Sequence, residues 1–221
     1  MTTIGASAPT TPQHGTLVRL AALGGVIGPI LFAALVVFGG WLTVGYSHTA
    51  QAISELGATG AGYAWLQGLA FVMLGASVIG FAWALARALD PPWWGPFLVG
   101  VFGASAFLAG SVLPCDAGCQ GQTTVGLIHN VTGLAGFASA IGGMFLLARR
   151  WTSDPTWASH VGFTRAAALV ALVGLLAFVA TRALESDTVA GAAQRLFVVP
   201  LLLWIVVTAA RLVRQLDRAG G

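Results

Sequence analysis

The chain has 221 residues, of which 57% are hydrophobic and 8% charged, with a formal net charge of +3. A soluble domain carries about 25% charged residues, so there is too little polar surface here to solvate a globule of this size. The apolar residues also come in long blocks, which excludes an ordinary soluble core. Every basic residue is Arg, and the arginines stand beside the ends of those blocks rather than in one patch, so no nucleic-acid partner is expected.

The chain opens on a polar stretch, Met1 to Thr16, rich in Thr, Pro and Ser. It lacks the basic flank of a signal peptide, and the apolar block behind it is too long for a signal core. Residues 1–16 read as a disordered cytoplasmic tail and the block as an uncleaved first span. A helix needs roughly 20 mainly apolar residues to cross about 30 Å of hydrocarbon. Six blocks qualify: Leu20–Leu42, Gly62–Ala86, Trp93–Leu113, Val125–Ala148, Gly162–Thr181 and Ala192–Arg211. The backbone must satisfy its own hydrogen bonds in lipid, and the runs are too continuous for barrel strands. The expected fold is all-α, an integral membrane bundle of six transmembrane helices over residues 17–214, with a short cytoplasmic tail at 215–221.

Orientation follows from the arginines. With the N-terminus inside, Arg19, Arg87, Arg149, Arg150, Arg165, Arg211, Arg214 and Arg218 lie at the cytoplasmic face, and only Arg182 and Arg195 outside. Both termini are then cytoplasmic, and the protein is multi-pass in the cell membrane. Trp93, Trp94, Trp151 and Trp157 fall at the inner interface and Trp41 and Trp65 at the outer one, as an aromatic belt would. Gly24 with Gly28, and Ala135 with Ser139, are small-residue pairs suited to close helix packing. Pro29 and Pro200 fall inside the first and last spans, where they kink or locally open a helix.

Three loops face outward in this topology. Thr43–Ala61 carries a short segment that Ser47 could cap and Gly57 could end, with Ser54 and Glu55 beside the apolar Ile53 and Leu56. Pro114–Thr124 carries Cys115, Asp116 and Cys119. Arg182–Gly191 carries Glu185 and Asp187. Each loop feeds a helix with polar residues near its start: Gln67, then His129 and Asn130, then Gln194 and Arg195. Singly, each has a plain structural reading: loop acids for Glu55 and Asp116, an interhelical hydrogen bond for His129, snorkelling to headgroups for Arg195. Together they form a candidate mixed-charge site. An ionisable group at mid-helix costs about 2.5 to 3.5 kcal/mol on insertion scales, so Arg195 is expected to have a carboxylate partner, Glu55 or Asp116.

Two cysteines and scattered histidines do not make a zinc framework, and the spans hold no facing histidine pair for haem. No metal site is expected, and no cofactor is indicated. Nucleophile-elbow, phosphate-loop and dinucleotide signatures are absent. Cys115 and Cys119 read as a small structural disulfide pinning the second loop. Their spacing is CxxxC, not the CxxC of thioredoxin-like redox pairs.

Ile53-Ser-Glu-Leu-Gly57 after the first helix, Leu113-Pro-Cys-Asp116 after the third, Leu127-Ile-His-Asn130 in the fourth and Gln194-Arg195 in the sixth resemble the "domain of unknown function 998" family. These are multi-helix membrane proteins of bacteria and archaea. The resemblance covers about residues 18 to 212. It implies functional positions at Ser54, Glu55, Asp116, His129 and Arg195, and implies no activity, substrate or cofactor.

Three functions compete on these residues. The first is binding or transport of a small molecule or lipid headgroup, with Glu55, Asp116, His129 and Arg195 as the binding set on the extracytoplasmic side. The second is a membrane-embedded hydrolase or transferase at the outer leaflet, with catalytic candidates Asp116, His129, Glu55 and Ser54. The third is a structural or accessory membrane subunit in which the polar cluster only locks loops together. The partners expected are the lipid bilayer, a small-molecule or lipid ligand under the first two readings, and a further copy of the chain should the bundle form a homo-oligomer.

Overall fold

The computed structural model of the protein describes residues 12–184 and 188–220. Residues 1–11, most of the stretch read as a tail, lie outside the described residues, as do Glu185 and Asp187 of the third loop. The described chain is all-helical, with α1 Pro12–Leu42, α2 Ala64–Ala88, α3 Trp94–Ser111, α4 Thr124–Trp151, α5 Val161–Ala183 and α6 Ala190–Gly220. All six are long and apolar enough to cross a membrane. Three short three-ten turns, Ile53–Gly57, Ala117–Cys119 and Ala158–His160, punctuate the connections. The outer two helices exceed the spans read from hydropathy. α1 begins at Pro12 and α6 runs on to Gly220, and both pass through their prolines, Pro29 and Pro200.

Each helix packs on its sequence neighbours, and α6 returns to α1, so the six close into a ring. Glycines set the closest approaches. A Cβ at Gly75 of α2 would fall 2.4 Å from Phe107 N and 2.6 Å from Gly103 O of α3. A Cβ at Gly174 of α5 would fall 2.7 Å from Phe197 N of α6. On α1, Gly28 meets Ser77, and Gly25 rather than Gly24 takes the tight place against Phe81 and Ala209. On α4 the approach to α3 is made by Gly136 and Gly143, whereas Ala135 is exposed on the outward side.

The ring has two unlike ends. At one, the segments 43–63 and 112–123 meet each other and the start of α6. Thr59 N donates to Cys115 O (2.9 Å), Gly191 N to Ala50 O (3.1 Å) and Ala192 N to Thr49 O (2.8 Å). The other end holds the ion pair Arg19–Asp217 (2.7 Å) and the bonds from Arg150 to the Asp90 carbonyl and from Arg211 to the Thr156 carbonyl.

Here the aromatic belt needs correction. Trp41, Trp65, Trp93 and Trp94 are exposed, but Trp151 and Trp157 are buried and stack at 4.6 Å between centroids. Arg211 lies over the Trp157 ring at 5.4 Å, and His160 is buried beside the pair, its Nε2 3.0 Å from Thr208 Oγ1. Interfacial position along the chain does not decide whether a tryptophan faces lipid or the neighbouring helices.

Candidate functional site

The first loop is clamped onto α6 by Arg195. Gly191 permits the contact, since a Cβ there would fall 2.2 Å from Gln51 O. The loop carbonyls of Thr49 and Ala50 take up N–H groups that the first turn of α6 cannot satisfy internally. The Arg195 guanidinium then donates from NH1 to Gln51 O (3.1 Å) and Gly191 O (3.0 Å), and from NH2 to Tyr46 Oη (2.8 Å) and His48 Nδ1 (2.8 Å). The Tyr46 hydroxyl in turn donates a hydrogen bond to Ala52 O (3.0 Å). Burial pushes the Tyr46 phenol up, against the lowering effect of Arg195. Burial, then the Arg195 charge, pushes His48 down.

The expected carboxylate partner is not there. Glu55 folds back on its own turn, accepting from Ala52 N (2.9 Å) on Oε1 and from Gln51 Nε2 (3.2 Å) on Oε2. A carboxylate three residues into a helical turn finds an orphan backbone N–H beside it, and that local donor wins over the distant cation. Asp116 behaves alike, accepting from Gly121 N (3.0 Å) and Thr123 N (2.9 Å). Those bonds, Thr123 foremost, hold its carboxyl below the usual range despite burial. Asp116 packs where a Cβ on Gly126 would stand 2.4 Å from its Oδ2, and Thr123 Oγ1 caps α4 by accepting from Gly126 N (3.0 Å). Both acids are therefore loop-building groups.

Cys115 and Cys119 form a disulfide, S–S 2.00 Å. It lies against Ser54, with Cys115 Sγ 3.2 Å from Ser54 O and Cys119 Sγ 3.5 Å from Ser54 Oγ. The loop turns through left-handed φ at Gly118 (69°), Cys119 (52°) and Gly121 (75°). Arg182, at the end of α5, reaches across to it, its NH2 donating to Cys119 O (3.1 Å), Gly118 O (3.3 Å) and Gln120 Oε1 (3.0 Å). Asn130 Nδ2 donates to the same Cys119 carbonyl (3.1 Å).

Beneath this lid lies a partly open cavity of about 350 Å³ to which all six helices contribute. Its deeper wall is apolar, with Phe32, Phe71, Phe102, Phe137, Phe178 and Phe197, and its polar groups are Ser54, Ser105, Gln120, His129, Asn130, Arg182 and Gln194. A second cavity of about 260 Å³ lies between α2 and α3, beside the exposed Trp65 and Leu69, and shares Ser54, Phe71, Ala109 and His129 with the first. His129 Nδ1 sits 2.6 Å from Leu113 O. A carbonyl only accepts, so Nδ1 carries the hydrogen and Nε2 of the neutral ring keeps a lone pair. Gln194 Oε1 accepts from Ile53 N.

Of the five residues singled out from sequence, Ser54 and His129 line the cavity, whereas Glu55, Asp116 and Arg195 build the loops around it. Gln194 and Asn130, read only as polar residues near helix starts, Arg182, read only as one of the two outer arginines, at the start of the third loop, and Gln120, which drew no reading, also line it. The signal for Arg182 was an arginine on the sparsely charged face. Among the described residues, no three His, Cys, Asp or Glu side chains gather as metal ligands do.

The family model described as "Protein of unknown function (DUF998)" matches residues 26–211, and the chain belongs to that family. No curated protein and no solved structure matches it.

Proposed function

We propose that this DUF998 protein binds an amphiphile inside its helix ring, apolar part among the phenylalanines and polar part under the disulfide lid. The observation that carries the reading is the partly open cavity of about 350 Å³, apolar at depth and polar toward the loops. Small-molecule sites have this form and a size of about 300–1,000 Å³. The arginine bias supports placing the lid on the extracytoplasmic side. The ligand is then a lipid or a lipid-like small molecule of the outer leaflet, held or passed on.

Gly133 of α4 offers a clean test. It lines the cavity, and a Cβ there meets nothing within 4 Å. Gly133→Leu fills the space without displacing backbone and adds a good helix former. Native mass spectrometry of the protein purified in mild detergent should find bound amphiphile in the parent and markedly less in Gly133→Leu at equal melting temperature. Equal occupancy in both would remove the reading. For orientation, Val44→Cys should react with an impermeant maleimide on intact cells and Ser153→Cys should not; the reverse pattern would invert the topology.

One observation favours a second reading, hydrolysis or transfer at the same place. The lone pair on His129 Nε2 suits a general base, and Ser54 lines the same cavities. Lipid turnover that survives in His129→Ala would exclude it.

A further inference from the structure

Resting on the amphiphile reading, we infer that the polar part the cavity accepts is an anion, a phosphate or a carboxylate, gripped by Arg182. Among the described residues, Arg182 is the only formally charged one lining the cavity. Its NH2 is engaged by neutral oxygens, those of Gly118, Cys119 and the Gln120 amide. None of these cancels the charge, and among the described residues its NH1 and Nε donate to nothing. Among the described residues, Glu55 and Asp116 turn to their own segments, Glu55 accepting from Ala52 N and Gln51, Asp116 from Gly121 N and Thr123 N, and neither forms an ion pair with Arg182. A half-buried guanidinium with spare parallel donors is matched by an oxyanion, which can take them two at a time.

The neighbouring amides point the same way. Gln194 gives its oxygen to Ile53 N–H, and Gln120 gives its oxygen to Arg182. What each has left for a ligand is an NH₂ group. Asn130 spends one Nδ2 hydrogen on Cys119 O and keeps the other. Three amides whose spare hydrogens are donors, beside one cation whose partners among the described residues are all neutral, make a site for acceptors. His129 Nε2 is the exception, a lone acceptor able to take a hydroxyl or acid hydrogen from a phosphate monoester.

The test uses four amphiphiles of one chain length, an alkyl phosphate, a fatty carboxylate, an alkyl glucoside and an alkyltrimethylammonium, titrated against the protein in a neutral detergent. The expected order places both anions at least about tenfold above the glucoside and the cation last, the size of one charge-assisted hydrogen bond. Phosphate above carboxylate would identify a phosphate-bearing ligand, and the reverse a carboxylate. Arg182→Gln should erase the anion preference by bringing anion affinity down to that of the glucoside, and Arg182→Lys should keep part of it. Should Arg182→Gln lose the fold, Gln194→Glu keeps an oxygen for Ile53 N–H, replaces the donor by a carboxylate and should repel the anions. Equal binding of anion and glucoside would overturn the anion site and leave the amphiphile cavity standing; binding of none, with Gly133→Leu indistinguishable from parent, would sink both.

Discussion

Arg195 NH2 stands 2.8 Å from Tyr46 Oη and its guanidinium carbon 5.9 Å from the centre of the same ring. The cation at the head of α6 is thus held by a phenol, an imidazole and two carbonyls, with no carboxylate among its partners in the described residues. A hydrogen bond from a charged donor is worth about 1.5–3 kcal/mol, and removing Arg195 also leaves the Gln51 carbonyl with only the longer bond from Tyr46 Oη (3.3 Å). Arg195→Ala should cost on the order of 2–3 kcal/mol and expose segment 43–63 to protease. Thermal unfolding in detergent and limited proteolysis check this. Unchanged melting and unchanged cleavage would mean the loop is held by something else.

His48 makes that clamp sensitive to acid. Its Nδ1 accepts from Arg195, which requires the neutral ring, and its folded pKa lies below the ordinary 6.5. The unfolded chain therefore binds the proton first as pH falls. The contribution is complete above the unfolded value and is lost on acidification below it, down to the folded value. Melting temperature should fall between pH 7.5 and 5.5 in the parent and fall less in His48→Gln, whose amide oxygen accepts without titrating. Parallel pH profiles would refute it.

Asp116 closes the disulfide loop from below. In Asp116→Asn an amide nitrogen would face Thr123 N or Gly121 N, donor against donor, where the carboxylate now accepts from both. The Cys115–Cys119 bond, buried in the parent, should then be reduced several-fold faster by a dithiol, followed by thiol alkylation and mass spectrometry. The same carboxyl loses its contribution as pH falls through its depressed folded value, so in strong acid, where a phosphine replaces the dithiol because thiols there carry no thiolate, the parent should approach the variant's reduction rate.

The α2–α3 seam should tolerate nothing larger than glycine at Gly75. Its Cβ would meet backbone atoms of Gly103 and Phe107, which cannot rotate away. Gly75→Ala should cost about 1–3 kcal/mol, the usual range for overpacking. Gly162→Ala, with nothing within 4 Å, serves as the control and should be neutral or slightly stabilising.

The helices were legible because hydrocarbon thickness and backbone satisfaction leave one solution for six long apolar blocks. Glu55, Asp116 and Arg195 were legible as residues that matter, but not in their pairing. Charge arithmetic joined them across the fold, whereas backbone N–H groups three to seven residues away claimed both carboxylates first. Arg182 could not be separated from an ordinary snorkelling arginine without knowing that the loop after α3 folds under it. Trp151 and Trp157 show the same limit. Their place at the ends of apolar blocks was readable, but the side of the helix they occupy depended on where Arg211 and His160 arrive from α6 and the start of α5.

The closure of α6 onto α1 brings the two ends of the described chain together, with Arg19 and Asp217 in direct contact. The order of the helices around the ring is consequently separable from where the polypeptide is cut. A circular permutant that joins the ends by a flexible linker and opens the chain in segment 89–93, at the same end of the ring, would begin with α3 and finish with α2. It would keep every neighbour, its cavity and its even number of crossings. Insertion order and final architecture could then be studied apart from one another in a single protein.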